Sequence, residues 1–194
     1  FARNKVAPFI LEHVERGMDQ DYVDALSLKG KYDKFTVPAL NVAGWYDIFL
    51  QGTIENFLKM RNKGGSPEAR QSKLVIGPWM HLDHSHQAGE IHFGLAANYA
   101  VADMVGLQLR WFDHFVKGKD TGIINEAPVK IFVMGENVWR DEYEWPLART
   151  NYTSYYLHSQ GHANTLHGDG VLSTIMPDQE PADHYTYDPL NPVI

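Results

Sequence analysis

The 194 residues carry 44% hydrophobic and 12% aromatic side chains with a formal net charge of −7, which is enough apolar surface for a sizeable core and gives no basic run to track a phosphate backbone. The absence of cysteine excludes disulfides, thiolate zinc sites and a cysteine nucleophile, without fixing the compartment. No apolar run approaches the roughly 18–20 residues of a membrane span, so neither nucleic acid nor membrane is an expected partner, and cytoplasmic and secreted localisation both stay open.

In chain order, residues 9–28 place Ile10, Val14, Tyr22 and Leu26 at helical spacing with Gly17 between, which predicts two short amphipathic packing helices. FTVPALNVAGWYD predicts a buried strand of a parallel sheet at about 37–43, with Pro38 at its start. Gly52 and Thr53 then open a helix with Ile54, Phe57 and Leu58 on one face, closed by the Gly64-Gly65 pair. KLVIG at 73–77 is a second buried strand, so strand, helix and strand spell a βαβ unit. Residues 101–117 predict a helix on Val101, Val105, Leu109, Phe112 and Val116, ended by Gly118.

After the linker GKDTGIINEAP the runs become short and rich in β-branched and aromatic residues, which predicts an all-β sandwich or jelly roll. The expected fold class is therefore α/β plus all-β. The expected divisions are 1–35 as an entry segment, 36–120 as the α/β part and 121–194 as the β part. Residue 1 is Phe and the closing YDPLNPVI stops partway through a strand-and-turn pattern, so both ends are expected to be cut points.

Functional groups in open α/β sheets gather beyond the C-terminal ends of the strands. Asp47 follows one predicted strand and His81 the other. A carboxylate on one imidazole nitrogen fixes the tautomer and leaves the second nitrogen as a general base, the last two members of a Ser–Asp–His triad in the chain order of α/β-hydrolases. The competing reading is an aspartate in a turn and a histidine capping a loop. His81, His84 and His86, with Asp83 among them, also raise a metal site, but their i, i+3, i+5 spacing suits neither a helical pair nor a strand. No metal or cofactor is expected. No serine sits in a Gly-x-Ser-x-Gly elbow: Ser66 is followed two residues later by Glu68, and Ser159 is preceded by Leu157.

VPALNVAGWYD, LVIGPWMH, LRWFDHFVKG, VKIFVMGENVWRDEYEWPL, YTSYYLH and DHYTYDPLNPV together resemble, in this order, the C-terminal part of the bacterial cocaine esterase, α-amino acid ester hydrolase and X-prolyl dipeptidyl peptidase family of CocE/NonD-type serine hydrolases. That resemblance implies a three-part enzyme comprising an α/β-hydrolase domain, a helical cap and a C-terminal jelly roll. It makes Asp47 the triad acid and His81 the base, with Asp83, His84 and His86 as loop neighbours. It also implies that the serine nucleophile and an oxyanion-hole tyrosine precede Phe1, that residues 1–35 are the tail of the cap, and that the chain alone is inactive.

The expected partners are a small ester or amide substrate and the N-terminal half of the same enzyme, with a homo-oligomer left open. The alternative function is a non-catalytic carbohydrate- or partner-binding β-sandwich, with Tyr152, Tyr155, Tyr156, Tyr185 and Tyr187 as its surface. The competing reading of those tyrosines is as filling for the sandwich core.

Overall fold

Two short helices, α1 (Phe9–Arg16) and α2 (Gln20–Leu26), open the part of the chain that the computed structural model describes, residues 7–190. Asp19 caps α2 by accepting from the backbone N–H groups of Asp21 and Tyr22, and it also pairs with Arg16 at 3.1 Å. The break at Gly17 is as predicted. The packing role is not, because no residue of either helix is buried among the described residues.

The strand, helix and strand that follow are β1 (Leu40–Tyr46), α3 (Leu50–Lys63) and β2 (Lys73–Met80). A two-stranded hairpin of β3 (Gln87–Ala88) and β4 (Ile91–His92) leads to α4 (Met104–Phe115). β5 (Val129–Val133) and β6 (Val138–Glu142) complete a four-stranded sheet of order β1-β2-β5-β6, in which β1, β2 and β5 are parallel and β6 is antiparallel.

β2 alternates between the two faces of this sheet, as a strand must. Leu74 and Ile76 meet Phe57 of α3 together with Val129 and Ile131. Val75 and Trp79 meet Met104, Leu107 and Trp111 of α4. Each of these fully buried side chains contributes about 1.5–3 kcal/mol relative to exposure, and both faces of the central strand are covered as a parallel sheet requires. Ile54, Phe57 and Leu58 face the sheet as their spacing predicts. The predicted stripe on α4 does not, since Val101, Val105, Leu109, Phe112 and Val116 are all exposed. The helix is apolar on two sides, and the bulkier Met104, Leu107, Trp111 side is the one that packs.

The chain divides into two compact units, Phe1–Ala148 and Arg149–Ile194. The change of sequence character at 121 is therefore not where hydrogen bonding changes, because β5 and β6 extend the sheet begun by β1 and β2. The second unit holds β7 (Tyr156–His158) paired antiparallel with β8 (Val171–Ser173). Carboxylates organise its loops. Asp183 accepts from Ser159 Oγ at 2.7 Å and from Ala163 N–H at 2.6 Å, and Glu180 accepts from His158 and from Ser159 N–H. Tyr152, Tyr155, Tyr185 and Tyr187 are exposed, so they do not fill a core in this unit, which among the described residues has no second sheet to pack against.

Candidate active site

Asp47 and His81 are each the first residue beyond a strand, and those two strands are parallel neighbours. The register brings them side by side. Gly44 faces Gly77, but Tyr46 faces Met80, so β2 carries one residue more than β1 between these pairs. Continued without this bulge, the Gly44–Gly77 register would set Asp47 opposite Met80 and His81 opposite Ile48. The extra residue falls within Gly77-Pro78-Trp79, where a proline that cannot donate to the ladder is tolerated.

The bulge needs room, and two glycines give it. A Cβ on Gly44 would lie 2.0 Å from the Trp79 carbonyl oxygen, and one on Gly77 would lie 2.4 Å from the Trp79 ring. Trp79 is itself fixed, fully buried with its indole N–H donating to the Ala97 carbonyl at 2.7 Å. On the other strand Trp45 donates to the Phe132 carbonyl, also at 2.7 Å.

His81 Nδ1 lies 3.3 Å from Asp47 Oδ1 and 3.4 Å from Oδ2. These contacts are slightly longer than the usual 2.7–3.2 Å of an N–H···O hydrogen bond. The Asp47 side chain is 12% exposed and that of His81 46% exposed. Asp47 Oδ1 also accepts from the backbone N–H of Phe49 at 2.8 Å, and the turn continues as Leu50 N–H donates to the Asp47 carbonyl and starts α3. With Nδ1–H donating to Asp47, Nε2 is the free basic nitrogen.

The neighbours named by the sequence serve the loop. Asp83 accepts from Ser85 N–H at 2.9 Å, the first of the hydrogen bonds that hold its carboxyl below the usual range. His84 stacks on Tyr99 at 5.2 Å, and His86 meets His92 at 5.4 Å. The three histidines thus face different partners, and among the described residues no group of three His, Asp or Glu side chains is placed to hold a metal. Ser66 Oγ donates to the Thr36 carbonyl and Ser159 Oγ to Asp183, so both hydroxyls are committed to local structure. The sequence reading missed Phe49 and the Pro78 bulge, and the only available signals were an aromatic two residues after Asp47 and a proline inside a strand.

A cleft of about 460 Å³ in the first unit lies at the opposite end of β2 from this pair and includes Lys73, Arg110, Glu126 and Asp141. Lys73 is buried there, its ammonium donating to the Glu126 and Ala127 carbonyls at 2.9 and 2.8 Å while burial lowers its pKa. Every charge in that cleft has an evident structural use.

The first unit is an α/β structure, a mixed sheet covered by helices, with Asp47 and His81 at adjacent ends of its parallel strands, the edge at which open α/β sheets gather functional groups. Residues 2–83 match the X-Pro dipeptidyl-peptidase (S15 family), and residues 121–193 match the X-Pro dipeptidyl-peptidase C-terminal non-catalytic domain. The chain is 34% identical over 190 residues to the cocaine esterase of Rhodococcus sp. (strain MB1 Bresler), a stretch that covers 97% of this chain and 32% of that protein. It is 36% identical over 121 residues to a putative serine esterase of Mycobacterium bovis, covering 59% of this chain and 17% of the other. An aminopeptidase from a marine sediment Thaumarchaeota archaeon shares the fold, with a TM-score of 0.60 at 24% identity over 93% of this chain and 30% of that one. The chain belongs to the X-Pro dipeptidyl-peptidase (S15) and cocaine esterase family. It spans about a third of the length of the cocaine esterase.

Proposed function

We propose that this chain supplies the acid and the base of an acyl hydrolase acting on ester or amide bonds, with Asp47 as the acid, His81 as the base and a serine nucleophile contributed from outside these 194 residues. The observation that carries the reading is the bulged register that sets His81 Nδ1 3.3 Å from the Asp47 carboxylate at adjacent strand ends. The relatives' names, an esterase, a putative serine esterase and an X-Pro dipeptidyl-peptidase, support the reaction class.

In this mechanism His81 Nε2 takes the proton of the serine hydroxyl as its oxygen attacks the acyl carbonyl, and Asp47 stabilises the imidazolium that forms. The proton then passes from Nε2 to the departing alcohol or amine, leaving an acyl-enzyme. Water, deprotonated by the same nitrogen, releases the acid and regenerates the serine. In the same proposal residues 1–35 belong to a cap, 36–120, together with the β5–β6 hairpin that extends the same sheet, to the hydrolase domain, and the rest of 121–194 to a jelly roll of which this chain holds the first part.

A fluorophosphonate probe tests the class. The full-length protein should be labelled at one serine, and peptide mapping should place that serine outside the present chain. His81→Ala should slow labelling by at least about 100-fold, the usual contribution of a positioned base. Labelling at Ser66 or Ser159, or labelling indifferent to His81→Ala, counts against the assignment.

A further inference from the structure

Asp47 holds the imidazole at a single atom, Nδ1, through contacts of 3.3 and 3.4 Å. A bond of that length at one nitrogen leaves the ring free to swing about its bond to Cβ, and the His81 side chain is 46% exposed within these residues. Phe49 is the second constraint. Its ring stands edge-to-face against His81 with centroids 4.8 Å apart and planes at 74°, within the range aromatic pairs prefer. Its own position is set by the acid, because the Phe49 N–H donates to Asp47 Oδ1 at 2.8 Å. One residue therefore touches both members of the pair, with its backbone on the carboxylate and its ring on the imidazole. Within these residues Phe49 is otherwise 57% exposed, so the imidazole and the carboxylate are the contacts that the chain itself gives it.

We propose that Phe49 is a positioning residue for His81: its ring limits imidazole rotation, so that Nε2 stays aimed at the nucleophile while Nδ1 stays on Asp47. This rests on the reading of Asp47 and His81 as acid and base. A base that is misaimed for part of the time lowers kcat in proportion and leaves substrate binding alone. The loss should therefore be the same for every acyl group. A ring acting as a wall of the substrate pocket would instead lose more with larger acyl groups, and would lose it in KM.

The test compares wild type, Phe49→Ala and Phe49→Tyr in the full-length protein, using p-nitrophenyl acetate, butanoate and benzoate. Phe49→Ala should lower kcat by about 3- to 10-fold, the worth of one aromatic pair, equally on all three esters and with KM little changed. Phe49→Tyr, which keeps the ring, should restore wild-type kcat. In the 194-residue chain itself, nuclear Overhauser contacts between the Phe49 and His81 ring protons should be present. A loss that grows from acetate to benzoate, a loss confined to KM, or the absence of those contacts overturns the positioning role. His81→Ala separates this from the wider reading: if it abolishes turnover while Phe49→Ala changes nothing, only the present inference fails. If His81→Ala is itself harmless, the assignment of the base fails.

Discussion

Tyr46 and Met80 are partners across the β1–β2 ladder although Gly44 and Gly77 are partners too, and the residue gained on β2 between them is what sets His81 beside Asp47. The site is thus built by backbone geometry before any side chain is considered. Gly44 is the most exacting position in it, because a Cβ there would meet the Trp79 carbonyl oxygen at 2.0 Å and the Trp79 Cα at 2.9 Å. Backbone cannot move aside as a side-chain tip can. Gly44→Ala should destabilise the chain by about 1–3 kcal/mol, the usual cost of overpacking, and should part Asp47 from His81. Gly52, inside α3 with nothing within 4 Å of its missing Cβ, is the control, and Gly52→Ala should stabilise by about 0.5–1 kcal/mol. Urea titration of both variants checks the opposite signs.

Trp111 and Leu109 lie on the two apolar sides of α4, and only the first is buried. Trp111→Ala should cost about 3–5 kcal/mol in this chain. Leu109→Ala should change stability by less than about 0.5 kcal/mol. Equal losses in chemical denaturation would mean that the exposed side of the helix is covered in solution.

In the second unit His158 donates from Nδ1 to Glu180 at 2.7 Å and from Nε2 to the Ile175 carbonyl at 2.8 Å. The Glu180 carboxylate first and the carbonyl second raise the His158 pKa, while His158 and then the Ser159 N–H lower that of Glu180. The histidine's contribution is fully present below its ordinary value of 6.5 and is lost as pH rises through its higher folded value. The glutamate's contribution is present above its ordinary 4.5 and is lost as pH falls through its lower folded value. Amide protection factors in β7 and β8, taken relative to the intrinsic base-catalysed exchange rate, should therefore be highest between these two ordinary values and fall as pH rises through the raised His158 value. His158→Gln should flatten the alkaline limb, and an alkaline limb that survives the substitution would show that another group is responsible.

Much of this was legible in the sequence, and the failures have physical causes. The βαβ order, the α3 face and the placing of Asp47 and His81 just past two strands follow from apolar periodicity and turn residues. The strand ends did not, because Gly77-Pro78 reads as a terminator whereas the strand runs through it as a bulge to Met80. The α4 face was misjudged because a helix apolar on two sides satisfies the same 3.6-residue period twice, and only the shape of the sheet chooses between Trp111 and Phe112. β5 and β6 read as members of a later sandwich because local composition specifies a hairpin but not which sheet its edge will join. Phe49 was invisible for a related reason, since an exposed aromatic has no periodic signature and its partner lies 32 residues away across the sheet.

The most direct test of the Asp47–His81 assignment is kcat for p-nitrophenyl ester hydrolysis by the full-length protein, measured for wild type, Asp47→Asn and His81→Ala, with circular dichroism confirming that each variant is folded. The account predicts a loss of about 10⁴-fold for Asp47→Asn, which leaves the imidazole in the wrong tautomer, and of about 10⁶-fold for His81→Ala. Folded variants that retain turnover within about 10-fold of wild type would contradict it, and would reduce the pair to a turn and a loop cap.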